Sequence, residues 1–177
     1  MLRNPLTWLL LLITATALAA CCGSVACNCR DNQDDALFFR FRLDSSAAQG
    51  FRTAELDSVF LRRVPIDTAQ RPRADTVLLT GSRLNFVRTF TINNAQPFPQ
   101  SGTRKLDQYD YEIYLGRRRA ATTRFVIDTV RVLDQIVGNG CCACNVNTRK
   151  ELTLNGQYID LTDPDGQDRP DTVQLGR

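Results

Sequence analysis

From Ala36 to the end of the chain, apolar and polar residues alternate one by one in short runs. In "ALFFRFRL", Leu37, Phe39, Phe41 and Leu43 fall on one side and Arg40 and Arg42 on the other, the period-two pattern of a strand buried on one face. The pattern returns in "LNFVRTFTI" (Leu84, Phe86, Arg88, Phe90, Ile92), in "YDYEIYL" (Tyr109, Tyr111, Ile113, Leu115) and in "RFVIDTVRV". A fourfold echo reads the same way: Asp57-Ser58-Val59, Asp75-Thr76-Val77, Asp128-Thr129-Val130 and Asp171-Thr172-Val173, with Leu61, Leu79, Val132 and Leu175 two residues after each Val. Its irregular spacing argues against a solenoid repeat and for one recurrent way of writing a strand. Near the end, Asn155-Gly156 separates two alternating runs, the dipeptide best suited to a tight hairpin turn.

These segments, separated by turns with Pro, Gly and Ser, predict an all-β domain over 36–177: a single antiparallel β-sandwich of about eight strands, immunoglobulin-like or similar. The only Trp is Trp8, outside this region, so the buried Trp of true immunoglobulin domains is missing.

The first 20 residues follow a different pattern. One charge, Arg3, precedes an apolar run from Leu6 to Leu18 that is too short to span a bilayer and closes on Ala19 and Ala20, the layout of a secretory signal. The tetrapeptide Leu18-Ala19-Ala20-Cys21 resembles the lipobox of bacterial lipoproteins cut by signal peptidase II: a Leu, two small residues and the acceptor Cys. The resemblance covers the first 21 residues, and it implies cleavage after Ala20, a covalent lipid on Cys21 and a protein held on a membrane without crossing it. Cys22, rather than an Asp, follows the acceptor, which in such lipoproteins points to the outer rather than the inner membrane. The expected organisation is a signal peptide at 1–20, a lipidated tether at 21–35, small and polar and ending "RDNQDD", and the β-domain at 36–177.

Loss of the leader leaves 157 residues, enough for one domain with a core of its own. It also removes one Arg, leaving 21 basic and 19 acidic residues and a formal charge of +2, with no global field for nucleic acid. Six cysteines remain after Cys21: Cys22, Cys27 and Cys29 at the front, and Cys141, Cys142 and Cys144 in "NGCCACN". An even count in an exported protein reads as a disulfide framework. Bridges between the two clusters would close loops of more than 100 residues, and the pairing stays open. A four-thiolate zinc site is the rival, weakened by the lack of Cys-x₂-Cys knuckles and of any His.

Candidate chemistry is sparse. Without His there is no Ser-His-Asp or Cys-His arrangement, so no cofactor other than the lipid and no catalytic residue is assigned, and the chain reads as a non-enzyme. Asp110 and Glu112 share one side of a strand at a separation near that of glycosidase carboxylates, a position that solvation alone also explains. In "DLTDPDGQD", Asp163, Asp165 and Asp168, with Asp160 before them, are spaced as weak calcium ligands, although Asp-Pro-Asp-Gly is also ordinary turn chemistry. If strands run alternately away from and towards the anchor, the turns with Arg52, Arg83 and Arg117-Arg118-Arg119 lie at the far end and the "CCAC" loop lies beside Cys27 and Cys29. The expected function is a non-catalytic envelope lipoprotein whose sandwich binds an envelope protein or an anionic glycan through Arg117, Arg118 and Arg119. The alternatives are a calcium- or carbohydrate-binding accessory module and a carboxylate-based glycan hydrolase.

Overall fold

The computed structural model describes residues 4–23, 27, 29, 35–44, 46, 48–67, 73–79, 89–117, 120–139, 142–162 and 171–177. A helix, α1 (Pro5–Gly23), covers the apolar N-terminal segment and runs past Ala20, and no helix among the described residues is long and apolar enough to cross a membrane. Among the described residues nine strands follow: β1 (Ala36–Phe41), β2 (Val59–Pro65), β3 (Asp75–Leu79), β4 (Thr89–Asn93), β5 (Tyr109–Arg117), β6 (Ala120–Asn139), β7 (Cys142–Leu154), β8 (Gln157–Asp160) and β9 (Thr172–Leu175). Six of them form an antiparallel sheet in the order β3-β2-β5-β6-β7-β8, and three form a second sheet in the order β4-β1-β9. The arrangement is sandwich-like and mostly β, and the described strands close no barrel.

The purely antiparallel sandwich expected from the sequence is corrected in one respect. β1 runs antiparallel to β4 but parallel to β9, with Phe38 opposite Thr172 and Phe41 opposite Leu175. Alternation of apolar residues specifies which side of a strand is buried and carries no information about the direction of its neighbour. Leu43 departs from expectation too, since β1 ends at Phe41 and Leu43 is 46 % exposed. Of the predicted strand over 84–92, Leu84, Phe86 and Arg88 lie outside the described residues, while Phe90 and Ile92 are buried in β4.

The two sheets share one core, in which Leu37, Phe39 and Phe41 of β1 pack with Leu61, Ile113, Ile127 and Leu152 of the larger sheet. Aromatic rings bridge the layers: Phe41 and Phe51 both meet Phe125 edge-on, with centroids 6.5 and 6.1 Å apart. All four echoed valines face this core. Val59, Val130 and Val173 are buried and Val77 packs against them, so the motif marks an inward Val wherever it occurs. Three copies open or lie at the start of a strand. The fourth falls inside β6, where the register slips between Asp128 and Arg131 and Thr129 takes a φ of 51°. Asn155 and Gly156 have φ of 51° and 81°, as the tight β7–β8 hairpin requires.

β6 is twenty residues long and outruns its neighbours. β5 follows it only to the pair Tyr111–Ile127, and β8 follows β7 only from Glu151 onward. From Asp134 to Asn139 and from Cys142 to Asn147 the two strands therefore continue as a ribbon of two.

Candidate functional site

The ribbon carries the covalent chemistry of the molecule. Cys142 and Cys144, two residues apart on β7, face the same side of the ribbon, and Cys27 and Cys29 are spaced to match. Two disulfides result, Cys27–Cys142 and Cys29–Cys144, with Cα atoms 5.5 and 5.4 Å apart, and each spans 115 positions of the sequence. The expected link between front and rear clusters is thus present, and the metal alternative is overtaken for these four thiols. Cys141 and the side chains of Cys21 and Cys22 lie outside the described residues. Bridges of this kind belong to an oxidising, extracytoplasmic setting.

At the root of the ribbon the loop between β4 and β5 is pinned at several points. Asn93 Oδ1 accepts hydrogen bonds from the amides of Ala95 and Gln96, and a cis bond joins Gln96 to Pro97. Phe98 is buried, and Arg63, only 5 % exposed on the inward side of β2, lies between the rings of Phe98 and Tyr109 at 4.7 Å from each centroid. The same guanidinium donates to Asp75 Oδ2 at 2.9 and 3.1 Å and to the carbonyl of Pro99 at 2.9 Å. A buried cation is thereby satisfied and made to clamp loop to sheet. Leu106 adds a second fastening, since its amide donates to Asn94 Oδ1 and its carbonyl accepts from the Tyr111 hydroxyl. Burial pushes that phenol well above its ordinary range.

The fixed loop encloses an open cleft of about 480 Å³ against the end of β2, lined by Ile66, Asp67, Thr103, Arg104, Asp107 and Gln108. Two carboxylates and one guanidinium give it a polar character suited to a hydroxylated or zwitterionic ligand. Behind it, Asp35 at the start of β1 meets Asp134 at the root of the ribbon. Asn94 donates to Asp35 and Asn147 to Asp134, at 2.8 and 2.7 Å. Partial burial, then the neighbouring Asp134 carboxylate, raise the Asp35 pKa, with Lys105 and Asn94 opposing. Neither the clamp nor the acidic pair was legible in the sequence. Arg63 follows the alternation of β2 as an apparent core position, and Asp35 and Asp134 are 99 positions apart.

The carboxylates singled out from the sequence behave differently from one another. Glu112 forms an ion pair with Arg62 at 3.0 Å on the outer side of the large sheet. Asp110 has its pKa raised by partial burial and by Asp128 on the adjacent β6, a perturbation the sequence did not reveal. Near the hairpin, Glu151 is buried, held below its ordinary pKa by the Tyr158 hydroxyl and by Arg149 and Arg131, against an opposing push from burial. Asp163, Asp165 and Asp168 lie outside the described residues, and Asp160 accepts a hydrogen bond from the Thr162 amide. Among the described residues no group of three or more Asp, Glu, Cys or His is placed to hold a metal ion.

Ala120 and Asn139 are the two ends of β6, so the β5–β6 turn and the CCAC loop lie at opposite ends of that strand. Arg118 and Arg119 lie outside the described residues, as does Arg83, and of Arg117 only the backbone is described. The 3-10 turn Thr53–Leu56 after Arg52 sits at this same end, where Ser58 accepts from the Gly116 amide and Glu55 pairs with Arg177. No protein-family model, characterised protein or solved structure matches the chain.

Proposed function

We propose that the protein is a lipid-anchored component of the bacterial cell envelope, exported and more at home on the outer than the inner membrane, whose β-domain binds an envelope protein or anionic glycan with the end farthest from its anchor. The observation that carries this reading is the pair of disulfides. They fasten the segment that follows Cys21 to the outer end of the β6–β7 ribbon, while the β5–β6 turn with its run of arginines leaves from the other end of β6. Nineteen rises of about 3.3 Å give β6 a contour of roughly 60 Å, so a partner at that turn is met well clear of the lipid. Arg117, Arg118 and Arg119 are suited to bidentate pairing with carboxylates or phosphates. An immunoglobulin-like connection of the strands is part of the same reading, and it differs from the simplest such sandwich by the parallel β1–β9 pair.

Two measurements test it. Intact mass and detergent partitioning should find a lipid on wild-type protein and none on Cys21→Ser, and a Ser variant still cleaved after Ala20 and still membrane-bound would remove the anchor. Replacement of Arg117, Arg118 and Arg119 together by Ser should abolish salt-sensitive binding to anionic envelope material without unfolding the protein, and unchanged binding would remove the arginines from the interface. A carbohydrate-binding module, the alternative, would use the 480 Å³ cleft through Asp67, Arg104 and Asp107. Saturable binding of a neutral oligosaccharide, lost in Asp107→Ala and retained in the arginine variant, would favour it.

A further inference from the structure

The ribbon is chemically unlike the rest of the β-domain. From Gln135 to Thr148 there are fourteen residues without a charge, in a chain of which 23 % is charged. Within it Ile136 is 71 % exposed, more than any other large apolar residue exposed among the described ones, and Val137 is 44 % exposed. Cross-strand pairing places Val137 with Cys144, on the disulfide side, and Ile136 with Asn145 on the opposite side, so apolar groups project from both faces of the tip. Neither β5 nor β8 extends far enough to cover them.

The position of the tip is constrained by the chain. Cys27 lies six positions after Cys21, a stretch that spans at most about 22 Å when fully extended. The Cα of Cys142 is 5.5 Å from that of Cys27, and Cys142 is paired with Asn139, three residues from Ile136. A lipid on Cys21 would therefore hold the uncharged ribbon tip against the bilayer at high effective concentration. A surface without charges enters the interfacial zone with no ionic desolvation cost, and exposed apolar side chains gain there what they lose in water.

We propose that the tip of the β6–β7 ribbon, led by Ile136 and Val137, is a membrane-seated element: the bilayer surface is its partner, and the lipid on Cys21 and the ribbon make two contacts that set the angle of the domain. This rests on the lipid-anchor reading, and one sample separates the two. The chain's single Trp, Trp8, lies in the leader, so Ile136→Trp places a unique tryptophan, selectively excited at the red edge of the aromatic band, in the mature protein. Tyr158→Trp, on β8 opposite Thr153 and eleven residues along β7 from Cys142, is the reference away from the tip. Each full mature protein is checked by intact mass and reconstituted into phosphatidylethanolamine–phosphatidylglycerol vesicles containing brominated acyl chains. Emission from Ile136→Trp should be quenched roughly threefold more than that from Tyr158→Trp, as for a side chain at the depth of interfacial helices. Equal quenching in protein whose mass carries the lipid overturns the seat and leaves the anchor standing. Blue-shifted emission that brominated lipid does not quench means that protein, such as a second copy, covers the tip, and also overturns it. A mass without lipid removes the anchor and, with it, the argument for the seat.

Discussion

Arg63 shows how one residue can fit a pattern and break its chemistry. It occupies an inward position of β2 between Leu61 and Pro65, where an aliphatic side chain would be expected, and is satisfied there by Asp75, the Pro99 carbonyl and two aromatic rings. Arg63→Ala is expected to cost about 3 kcal/mol in urea unfolding, because a buried hydrogen-bonded cation and both ring contacts are lost together. Asp75→Asn should cost about 1 kcal/mol or less, since the Asp75 side chain is 50 % exposed and water can replace it. Asp35 gives a test in pH. Its folded pKa is raised, so the folded state holds the proton more tightly than the unfolded chain does. The associated stability is fully present below the unfolded value of about 3.9 and is lost as pH rises through the folded pKa. Asp35→Asn should therefore lose less stability than wild type between pH 4 and pH 7, measured as melting temperature across that interval, and a steeper loss in the variant would contradict the pairing with Asp134.

At the scale of elements, β6 is the strand around which the others are arranged. It pairs with β5 over its first half and with β7 along most of its length, and the bulge at Thr129 keeps Val130 directed into the core as the strand passes from sheet to ribbon. A β-branched residue at a φ of 51° is held there against its own preference. Thr129→Gly is expected to be neutral or stabilising by up to about 1 kcal/mol, as relief of that conformation outweighs the added freedom of the unfolded chain. Val130→Gly, which removes a side chain only 3 % exposed and leaves a cavity in the core, should be destabilising by about 3 kcal/mol. Chemical denaturation of both variants checks the pair, and equal effects would mean that Thr129 does not sit at the bulge.

For the whole molecule, the two disulfides among the described residues act largely as one constraint. Either bridge alone closes a loop of 115 positions, and once it is formed the other closes only a few residues. In the chain-entropy account, removal of Cys29–Cys144 alone should cost about 2 kcal/mol and removal of both bridges about 5 kcal/mol. The core of the sandwich draws no residue from the bridged cysteines, so the double variant should keep the circular dichroism of a β-protein while the segment around Cys27 becomes sensitive to protease. Retained protection of that segment without either bridge would show that other contacts hold it to the ribbon.

Much of this architecture follows from local chemistry. Period-two alternation identified the inward faces of β1, β4 and β5 because a strand's two sides are set residue by residue, and Asn155-Gly156 identified its turn because few residues tolerate two successive positive φ values. The spacing and number of cysteines indicated a link from front to rear because thiols in an oxidising compartment pair. Direction and partnership were decided elsewhere. The parallel β1–β9 pair, the meeting of Asp35 with Asp134 and the exact pairs Cys27–Cys142 and Cys29–Cys144 join positions about 100 or more apart. The exposure of Ile136 is of the same kind: an apolar residue in an alternating strand reads as buried until the neighbouring strands are known to stop short of it. Local sequence encodes the conformation and sidedness of each element, but which elements meet depends on loop closure and packing across the whole chain, and these have no local signature.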